Sequence, residues 1–136
     1  MSIENLNNYQ QLADRTAKHG DFNFDLMHAA LGLTGEAGEF ADCIKKHLVY
    51  GKELDRVNAK EELGDLLWFV ALAATTLGVD LQTLAEENIE KLSKRYPEKY
   101  SDELAGKRLD KIEAEVLLKG QVVEVPKVEP WKSSCN

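Results

Sequence analysis

The sequence predicts an all-α fold, a bundle of four main helices followed by a C-terminal appendage. Apolar residues recur at helical spacing through most of the chain. Residues that favour helix N-caps precede the predicted segments, and no strand pattern occurs before residue 120. A chain of 136 residues is also long enough to form one domain with its own hydrophobic core.

The first two helices are predicted from their caps and their apolar spacing. The first spans about 3–18, with Ser2 as its N-cap and Gly20 just after its end. A connector at 21–24 leads into the second, which spans about 25–48. Each glycine inside a helix costs about 1 kcal/mol relative to Ala, so glycines there indicate that a backbone or a ligand approaches closely. The second helix holds three of them, at positions 32, 35 and 38.

The third and fourth helices are predicted from the same kinds of signal. The third begins between 55 and 58 and ends before Gly78, and its segment 66–74 is apolar on all sides, which is typical of a buried helix. The fourth has Asp80 as its predicted N-cap and reaches Arg95. Pro97 ends it, because the residue before a proline avoids the α conformation.

The character of the chain changes towards its C-terminus. Residues 109–119 predict a fifth helix, which Gly120 interrupts. Residues 121–131 are β-prone, but their two prolines restrict them to an edge strand or an extended arm. We therefore predict a main domain at 1–108 and an extension at 109–136.

Composition excludes several functions. A net charge of −7 and a pI near 5.0 argue against a surface for nucleic acid or anionic membranes. The two cysteines, Cys43 and Cys135, provide neither a disulfide framework nor a paired metal motif, and Cys43 is expected to be a small buried hydrophobe. The start of the chain is polar and its longest apolar run is far shorter than a membrane span, so we expect a cytoplasmic protein.

Two acidic pairs are the most informative motif. Glu36 and Glu39 form one pair, and Glu62 and Asp65 form the other. Residues three apart share a helical face, so two facing helices would bring four carboxylates together. Such an all-oxygen set suits a hard divalent cation, with Mg²⁺ as the first choice. Acids on a solvated first turn are the alternative, which two pairs with small residues between the acids make less favoured.

Other metals fit the pattern less well. Di-iron bundles use Glu-x-x-His pairs, whereas Glu39 and Asp65 stand where such a histidine would be. The three histidines are not spaced as a zinc site with either cysteine. A Mg²⁺ site usually keeps waters and contacts substrate phosphates, so the pattern points to phosphoryl chemistry.

Phosphoryl chemistry also needs cations for the spectator phosphates. Lys91 and Arg95 lie four residues apart on the predicted fourth helix, and Asn88 lies three residues before Lys91. Lys45 and Lys46 are further candidates on the second helix. On spacing alone, Lys91 and Arg95 fit a solvated surface better than a ligand site.

One histidine and the aromatic residues give less specific predictions about the site. His28 is more typical of a hydrogen-bonded polar residue near a helix start than of a catalytic base. Trp68 and Phe69 are expected in the core. Phe22 and Phe24, predicted in a connector, are the better candidates for contact with a ligand.

Three stretches, 28–39, 61–68 and 88–97, resemble the MazG-type nucleoside triphosphate pyrophosphohydrolases of the all-α NTP pyrophosphatase superfamily. The family pattern is E-x-x-E, a gap, then E-x-x-D. Here 22 residues separate Glu39 from Glu62, which fits that pattern. The resemblance covers about 1–108, and the extension has no counterpart in it.

The resemblance implies Mg²⁺-dependent hydrolysis between the α and β phosphates, with Mn²⁺ as an alternative ion. Its implied metal ligands are Glu36, Glu39, Glu62 and Asp65. Glu36 or Glu39 would take the proton of the attacking water. The implied phosphate-binding residues are Asn88, Lys91 and Arg95, with Lys46 as a weaker candidate. The products would be a nucleoside monophosphate and pyrophosphate.

The partner predicted for the apolar third helix is a second copy of this chain, in a homodimer or homotetramer. The base pocket is expected near the subunit boundary, and its expected residues are Tyr9, Gln10, Ala13, Asn23, Phe24 and Met27. A purine such as dGTP or GTP is the expected substrate.

Alternatives remain at this point. One is a pyrimidine-specific dUTPase or dCTP pyrophosphatase relative, and another is a phosphoribosyl-ATP pyrophosphohydrolase. A non-catalytic helical interaction module is the competitor from another class. Retention of all four acids beside Lys91 and Arg95 argues against that module.

Overall fold

The computed structural model describes residues 2–108 and 110–111, and within them the regular structure is entirely helical, which confirms the all-α prediction. The helices are α1 (Leu6–Asp14), α2 (Phe22–Leu48), α3 (Arg56–Thr76), α4 (Leu81–Arg95) and α5 (Asp102–Lys107). Two compact units result, one up to Glu87 and one from Asn88, so their boundary falls inside α4. The predicted division at 108/109 stays a prediction.

Side-chain caps set the starts of the first three helices. The Asn5 side chain accepts a hydrogen bond from the Asn8 N–H at 2.8 Å, so α1 begins at Leu6 instead of near residue 3 and ends at Asp14. The Asp21 side chain caps α2 in the same way, at 2.8 Å from the Phe24 nitrogen. The expected connector at 21–24 is therefore mostly the first turn of α2. Asp55 caps α3 close to where the sequence predicts its start.

The core of the first unit lies where α1 and α2 pack against α3. Its buried cluster consists mainly of small side chains: Ala13, Ala71, Ala74 and Leu81, with Leu6, Tyr9, Trp68 and Val70 packed against it. Alanines at these positions let the helix backbones approach closely. Leu72 and Cys43 are also buried, the latter as expected.

Two polar side chains of α1 hold the turn between α3 and α4. Gln10 donates to the Thr75 hydroxyl at 3.1 Å and to the Val79 carbonyl at 3.0 Å, and it accepts from the Leu81 N–H at 2.7 Å. Asn7 accepts from the Gln82 N–H at 2.9 Å. The sequence predicts Asp80 as the cap of α4, but the first two N–H groups of α4 donate to side chains from α1.

The second unit contains the end of α4 and α5. Ser101 caps α5 by accepting from the Leu104 N–H at 3.2 Å. The sequence does not predict α5, and of the predicted helix 109–119 only Asp110 and Lys111 fall within the described residues, where both are helical. The predicted arm 121–131 lies outside the described residues.

Among the described helices, none alone has the length and apolar character needed to cross a membrane, and only α3 and α4 taken as a bent pair meet those criteria.

Candidate metal and nucleotide site

Three carboxylates from two helices converge in the first unit. Glu36 lies on α2, while Glu62 and Asp65 lie three residues apart on α3. Because α2 packs along α3, these side chains face one another, and one oxygen from each lies within 4.8 Å of the other two. The structure therefore brings together three of the four acids that the sequence singles out.

Glu62 is in an unfavourable electrostatic position for a negative charge. Glu62 is only 7% exposed. Burial raises the pKa of its carboxyl group, and the negative charge of Glu39, a hydrogen bond with Glu36 and the charge of Asp65 raise it further. A bound cation would reverse this penalty, because it would favour the ionised form of all three groups.

The donor set fits a hard divalent ion. All three groups offer carboxylate oxygen, the preferred ligand of Mg²⁺ and Mn²⁺. Among the residues that the structure describes, no other group of three His, Cys, Asp or Glu side chains comes as close together. Waters and substrate phosphates would complete the coordination of such an ion.

Glu39 stands apart from the other three acids. It is exposed on α2, and it is not part of the set whose oxygens lie within 4.8 Å of one another. Its charge nevertheless raises the pKa of Glu62, so the two carboxylates are within electrostatic reach.

An aromatic cluster adjoins the acids on the same two helices. Gly32 lies one helical turn before Glu36, and Phe69 lies one turn after Asp65. His28 lies another turn before Gly32 on α2, with its ring centroid 5.6 Å from that of Phe69. The cluster is completed by Phe24 and Trp68, whose centroids lie 6.0 and 6.2 Å from that of His28.

His28 differs from its sequence expectation. Its Nδ1 atom is buried and has no hydrogen-bond partner among the described residues, whereas the sequence predicts a satisfied polar group. Trp68 is satisfied, since its Nε1 donates to the Thr16 hydroxyl at 2.8 Å. Apolar and aromatic side chains with a few polar groups are the usual lining of a small-molecule site.

The structure separates the residues expected to bind the base. Ala13 is buried in the core, and the Gln10 amide is engaged by the α3–α4 turn. Tyr9 packs on the core, and its hydroxyl has a pKa raised first by burial and then by the charge of Asp65. Phe24 belongs to the aromatic cluster, and Tyr9 lies within electrostatic reach of Asp65. Asn23 and Met27 are exposed on α2.

The candidate phosphate ligands have different surroundings. Lys46 lies 2.8 Å from Asp42, whose pKa is held at about 2 by hydrogen bonds from Lys45 and Lys46. Asn88 and Lys91 belong to the second unit and are exposed.

Arg95, also in the second unit, is half-buried in a two-point ion pair with Asp110. The sequence reasoning missed this partner, because a separation of 15 residues matches no helical or turn spacing. It also missed the clustering of His28 with Phe69, which required the spacing between α2 and α3 to be known.

Comparison with known proteins shows the family of this chain. Residues 24–100 match the family model of the MazG nucleotide pyrophosphohydrolase domain, which is more than half of the chain. The gene 37 protein of Mycobacterium phage L5 is 41% identical over 75 residues, which are 52% of this chain and 65% of that relative, so the chain spans just under two-thirds of its length. No solved structure matches significantly. Such a domain implies a nucleotide substrate, and its family is generally divalent-metal dependent. The chain belongs to the MazG nucleotide pyrophosphohydrolase family.

Proposed function

We propose that this protein hydrolyses a nucleoside triphosphate between its α and β phosphates, releasing a nucleoside monophosphate and pyrophosphate, with Mg²⁺ as the metal. The observation that carries the proposal is the convergence of Glu36, Glu62 and Asp65. The pyrophosphohydrolase family supplies the reaction class, and the all-oxygen donor set supports Mg²⁺ over softer ions.

The acids divide between holding the ion and moving a proton. Glu36, Glu62 and Asp65 would hold Mg²⁺, which when bound polarises the phosphate oxygens and makes a nearby water more acidic. Glu39 lies outside that set and is exposed, so we assign to it the acceptance of the proton from the attacking water. Glu36 is the alternative proton acceptor, but its carboxylate already forms a hydrogen bond with Glu62.

Cations offset the charge of the departing pyrophosphate. We assign this role to Lys91 and Arg95, with Asn88 as a neutral hydrogen-bonding group, on the basis of their motif. Lys46 is a weaker candidate, because Asp42 already neutralises it in part.

The nucleoside is assigned to the aromatic side of the acid set. Phe24 and Tyr9 remain the favoured contacts among the residues predicted for the base, with Asn23 and Met27 as secondary ones. Gln10 and Ala13 are assigned to the fold, because the turn and the core occupy them. A purine such as dGTP or GTP is the proposed base class.

A homodimer is proposed from the exposed apolar side chains of α2 and α3. Met27 and Leu31 lie one turn apart on α2, and Leu63 and Leu67 lie one turn apart on α3. All four are at least 41% exposed, and we propose that a second copy of the chain covers them. Sedimentation-velocity ultracentrifugation with a Leu31→Asp variant tests this, since the variant should shift the protein towards monomer.

The decisive experiment is pyrophosphate release over a panel of ribo- and deoxynucleoside triphosphates with Mg²⁺, with Mn²⁺, and with EDTA. We expect Mg²⁺-dependent release of pyrophosphate and monophosphate, fastest with a purine. Release of inorganic phosphate instead would refute cleavage at the α–β bond. A folded protein that turns over no nucleotide would favour a non-catalytic module, and a pyrimidine preference would refute the proposed base class.

A further inference from the structure

The guanidinium of Arg95 is held at one edge. Its Nε donates to one Asp110 oxygen at 2.7 Å, and its Nη2 donates to the other oxygen at 2.5 Å. The Asp110 side chain is 2% exposed and that of Arg95 is 17% exposed. Each member favours the charged form of the other, since the hydrogen bond from Arg95 lowers the pKa of Asp110 to about 2. This two-point geometry fixes the plane of the guanidinium as well as its position.

A local turn places Asp110 for this contact. Arg108 adopts a left-handed conformation with φ 49°, and its carbonyl accepts the Lys111 N–H at 2.8 Å. The Arg108 Nε also lies 3.8 Å from Asp110. The carboxylate is thus held by the chain around it as well as by Arg95, so it forms a fixed support.

Asp110 and Tyr96 together fix the orientation of Arg95. Asp110 contacts the Nε–Nη2 edge, while Tyr96 hydrogen-bonds to the Arg95 side chain and its ring centroid lies 5.9 Å from the guanidinium carbon. Lys91 lies one helical turn earlier on α4 and is exposed. A fixed guanidinium loses less conformational entropy than a free one when it binds an anion.

We propose that Asp110 is a positioning residue for phosphate recognition, holding the guanidinium of Arg95 in the orientation in which it meets a phosphate of the substrate. This inference rests on the proposed function, which assigns Arg95 to the phosphates. It gives the segment after α5 a role in substrate affinity, although Asp110 itself touches no substrate.

The opposite possibility is that Asp110 masks Arg95 and that the substrate displaces it. Burial argues against displacement, because a carboxylate with 2% exposure would lose its two-point partner without gaining water. Arg108, at 3.8 Å and half exposed, is a poor replacement. Asp110 therefore stays in place when phosphate binds, and its removal weakens binding instead of strengthening it.

The test compares Asp110→Ala, Asp110→Asn, Arg95→Ala and the double variant Arg95→Ala/Asp110→Ala. Glu103→Ala is the matched control, because it removes the exposed Glu103–Lys107 pair from the same unit. Measurements are KM and kcat for the preferred triphosphate, equilibrium binding of inorganic pyrophosphate with Mg²⁺, and the melting temperature.

For Asp110→Ala we expect KM and the pyrophosphate Kd to rise about three- to tenfold, as for loss of one preorganised side chain, with kcat within about twofold. Asp110→Asn should fall between Asp110→Ala and wild type, and Glu103→Ala should match wild type. In the Arg95→Ala background, removal of Asp110 should add nothing, since Asp110 acts through Arg95.

Three results would overturn the inference: a lower melting temperature with unchanged KM and Kd, a fall in KM and Kd, or additive effects in the double variant. If Asp110→Ala does not fold, Asp110→Asn is judged by the same criteria. A wild-type protein that binds pyrophosphate but hydrolyses no nucleotide would refute the proposed function, and the role of Asp110 would then be decided by the binding constants.

Discussion

The ring of Phe69 lies against the bare Cα of Gly32, so that a Cβ atom at this position would fall 2.1 Å from Cε1 of Phe69. The same ring meets His28 and Trp68 edge-on, with centroids 5.6 and 4.8 Å away. This contact sets how closely α2 and α3 approach one turn away from Glu36. The glycine therefore supports the spacing on which the acid set depends.

Gly32→Ala should destabilise the protein although it improves helix propensity. The propensity gain is about 1 kcal/mol, and overpacking of a ring already held by two neighbours costs about 1–3 kcal/mol. We expect a net loss of up to about 2 kcal/mol in the free energy of unfolding, measured by urea denaturation. An equal or greater stability would show that the ring moves freely.

Gly38→Ala is the matched control on the same helix. Nothing lies within 4 Å of a Cβ atom at Gly38, so only the propensity term applies. The variant should gain up to about 1 kcal/mol in the free energy of unfolding. A loss there would show that another backbone packs against this part of α2.

The Gln10→Ala variant should have a lower free energy of unfolding than the Gln11→Ala variant, which changes the next residue in the chain. Gln10 makes three hydrogen bonds to the α3–α4 turn, and its removal leaves the Leu81 N–H and the Val79 carbonyl without that partner. Unsatisfied, partly buried groups cost about 2–3 kcal/mol in total, whereas the exposed Gln11 should matter by less than about 0.5 kcal/mol. Equal urea midpoints for the two variants would contradict this role.

Local signals in the sequence predict most of the helices, because caps and apolar spacing are properties of neighbouring residues. Asp55 and Pro97 carry such signals, and α3 and α4 lie where they are predicted. The acidic pairs carry a similar signal, and three of their four carboxylates lie close together. The sequence predicts the start of α2 three residues late, because Phe22 and Phe24 resemble a connector, although Asp21 is a good N-cap.

Contacts between distant segments could not be predicted in the same way. The sequence predicts Gln10 as a contact of the base, but its position opposite Thr75 and Leu81 depends on how α1 lies on α3. The Arg95–Asp110 pair depends on the turn at Arg108. These relationships arise from tertiary packing, which spacing along one helix does not encode.

Glu39→Gln should lose turnover while remaining folded. Glu39 is exposed and lies outside the three-carboxylate set, so the fold does not need its charge. Loss of a general base typically lowers kcat about 10²- to 10⁴-fold. Glu61→Gln is the control, since Glu61 is exposed next to Glu62 but does not belong to the set. Wild-type kcat in Glu39→Gln would remove Glu39 from the mechanism.

The His19 side chain should make stability depend on pH near neutrality. Its Nδ1 lies 3.2 Å from Asp25, and its Nε2 lies 3.5 Å from Asp14. The hydrogen bond with Asp25, followed by that with the Asp14 carbonyl, raises the pKa of His19 above 6.5 in the folded state. The stabilisation is therefore complete below pH 6.5 and is lost as the pH rises through the higher, folded-state pKa.

Asp25 contributes in the opposite direction at acid pH. The Gly20 N–H, more than His19, lowers the pKa of Asp25, so the stabilisation from Asp25 is present above pH 3.8 and is lost as the pH falls through the folded-state pKa.

His19→Gln should flatten the decline in the free energy of unfolding above pH 6.5. His47→Gln is the control, because the described partner of His47 is the Lys52 carbonyl and not a carboxylate. Identical slopes in the two variants would contradict the assignment.

Glu62→Gln should raise the melting temperature of the metal-free protein and abolish its response to Mg²⁺. Burial and three neighbouring acids raise the pKa of Glu62 in the folded state, so its ionisation opposes folding. This penalty is absent below the ordinary pKa of 4.5, grows as the pH rises from there towards the folded-state pKa, and is complete above it. At pH 7.5 the neutral amide of the Glu62→Gln variant removes this penalty, and the variant also lacks one charged ligand for the metal ion.

Thermal melts with EDTA and with Mg²⁺ measure both effects. Wild type should melt at a lower temperature than Glu62→Gln in EDTA and should gain stability with Mg²⁺, since an ion that binds only the folded state stabilises it by mass action. Mn²⁺ should act similarly, because the same oxygens bind it. A destabilised Glu62→Gln in EDTA would mean that this carboxylate is already satisfied without a cation, which would remove the physical basis of the proposed metal site.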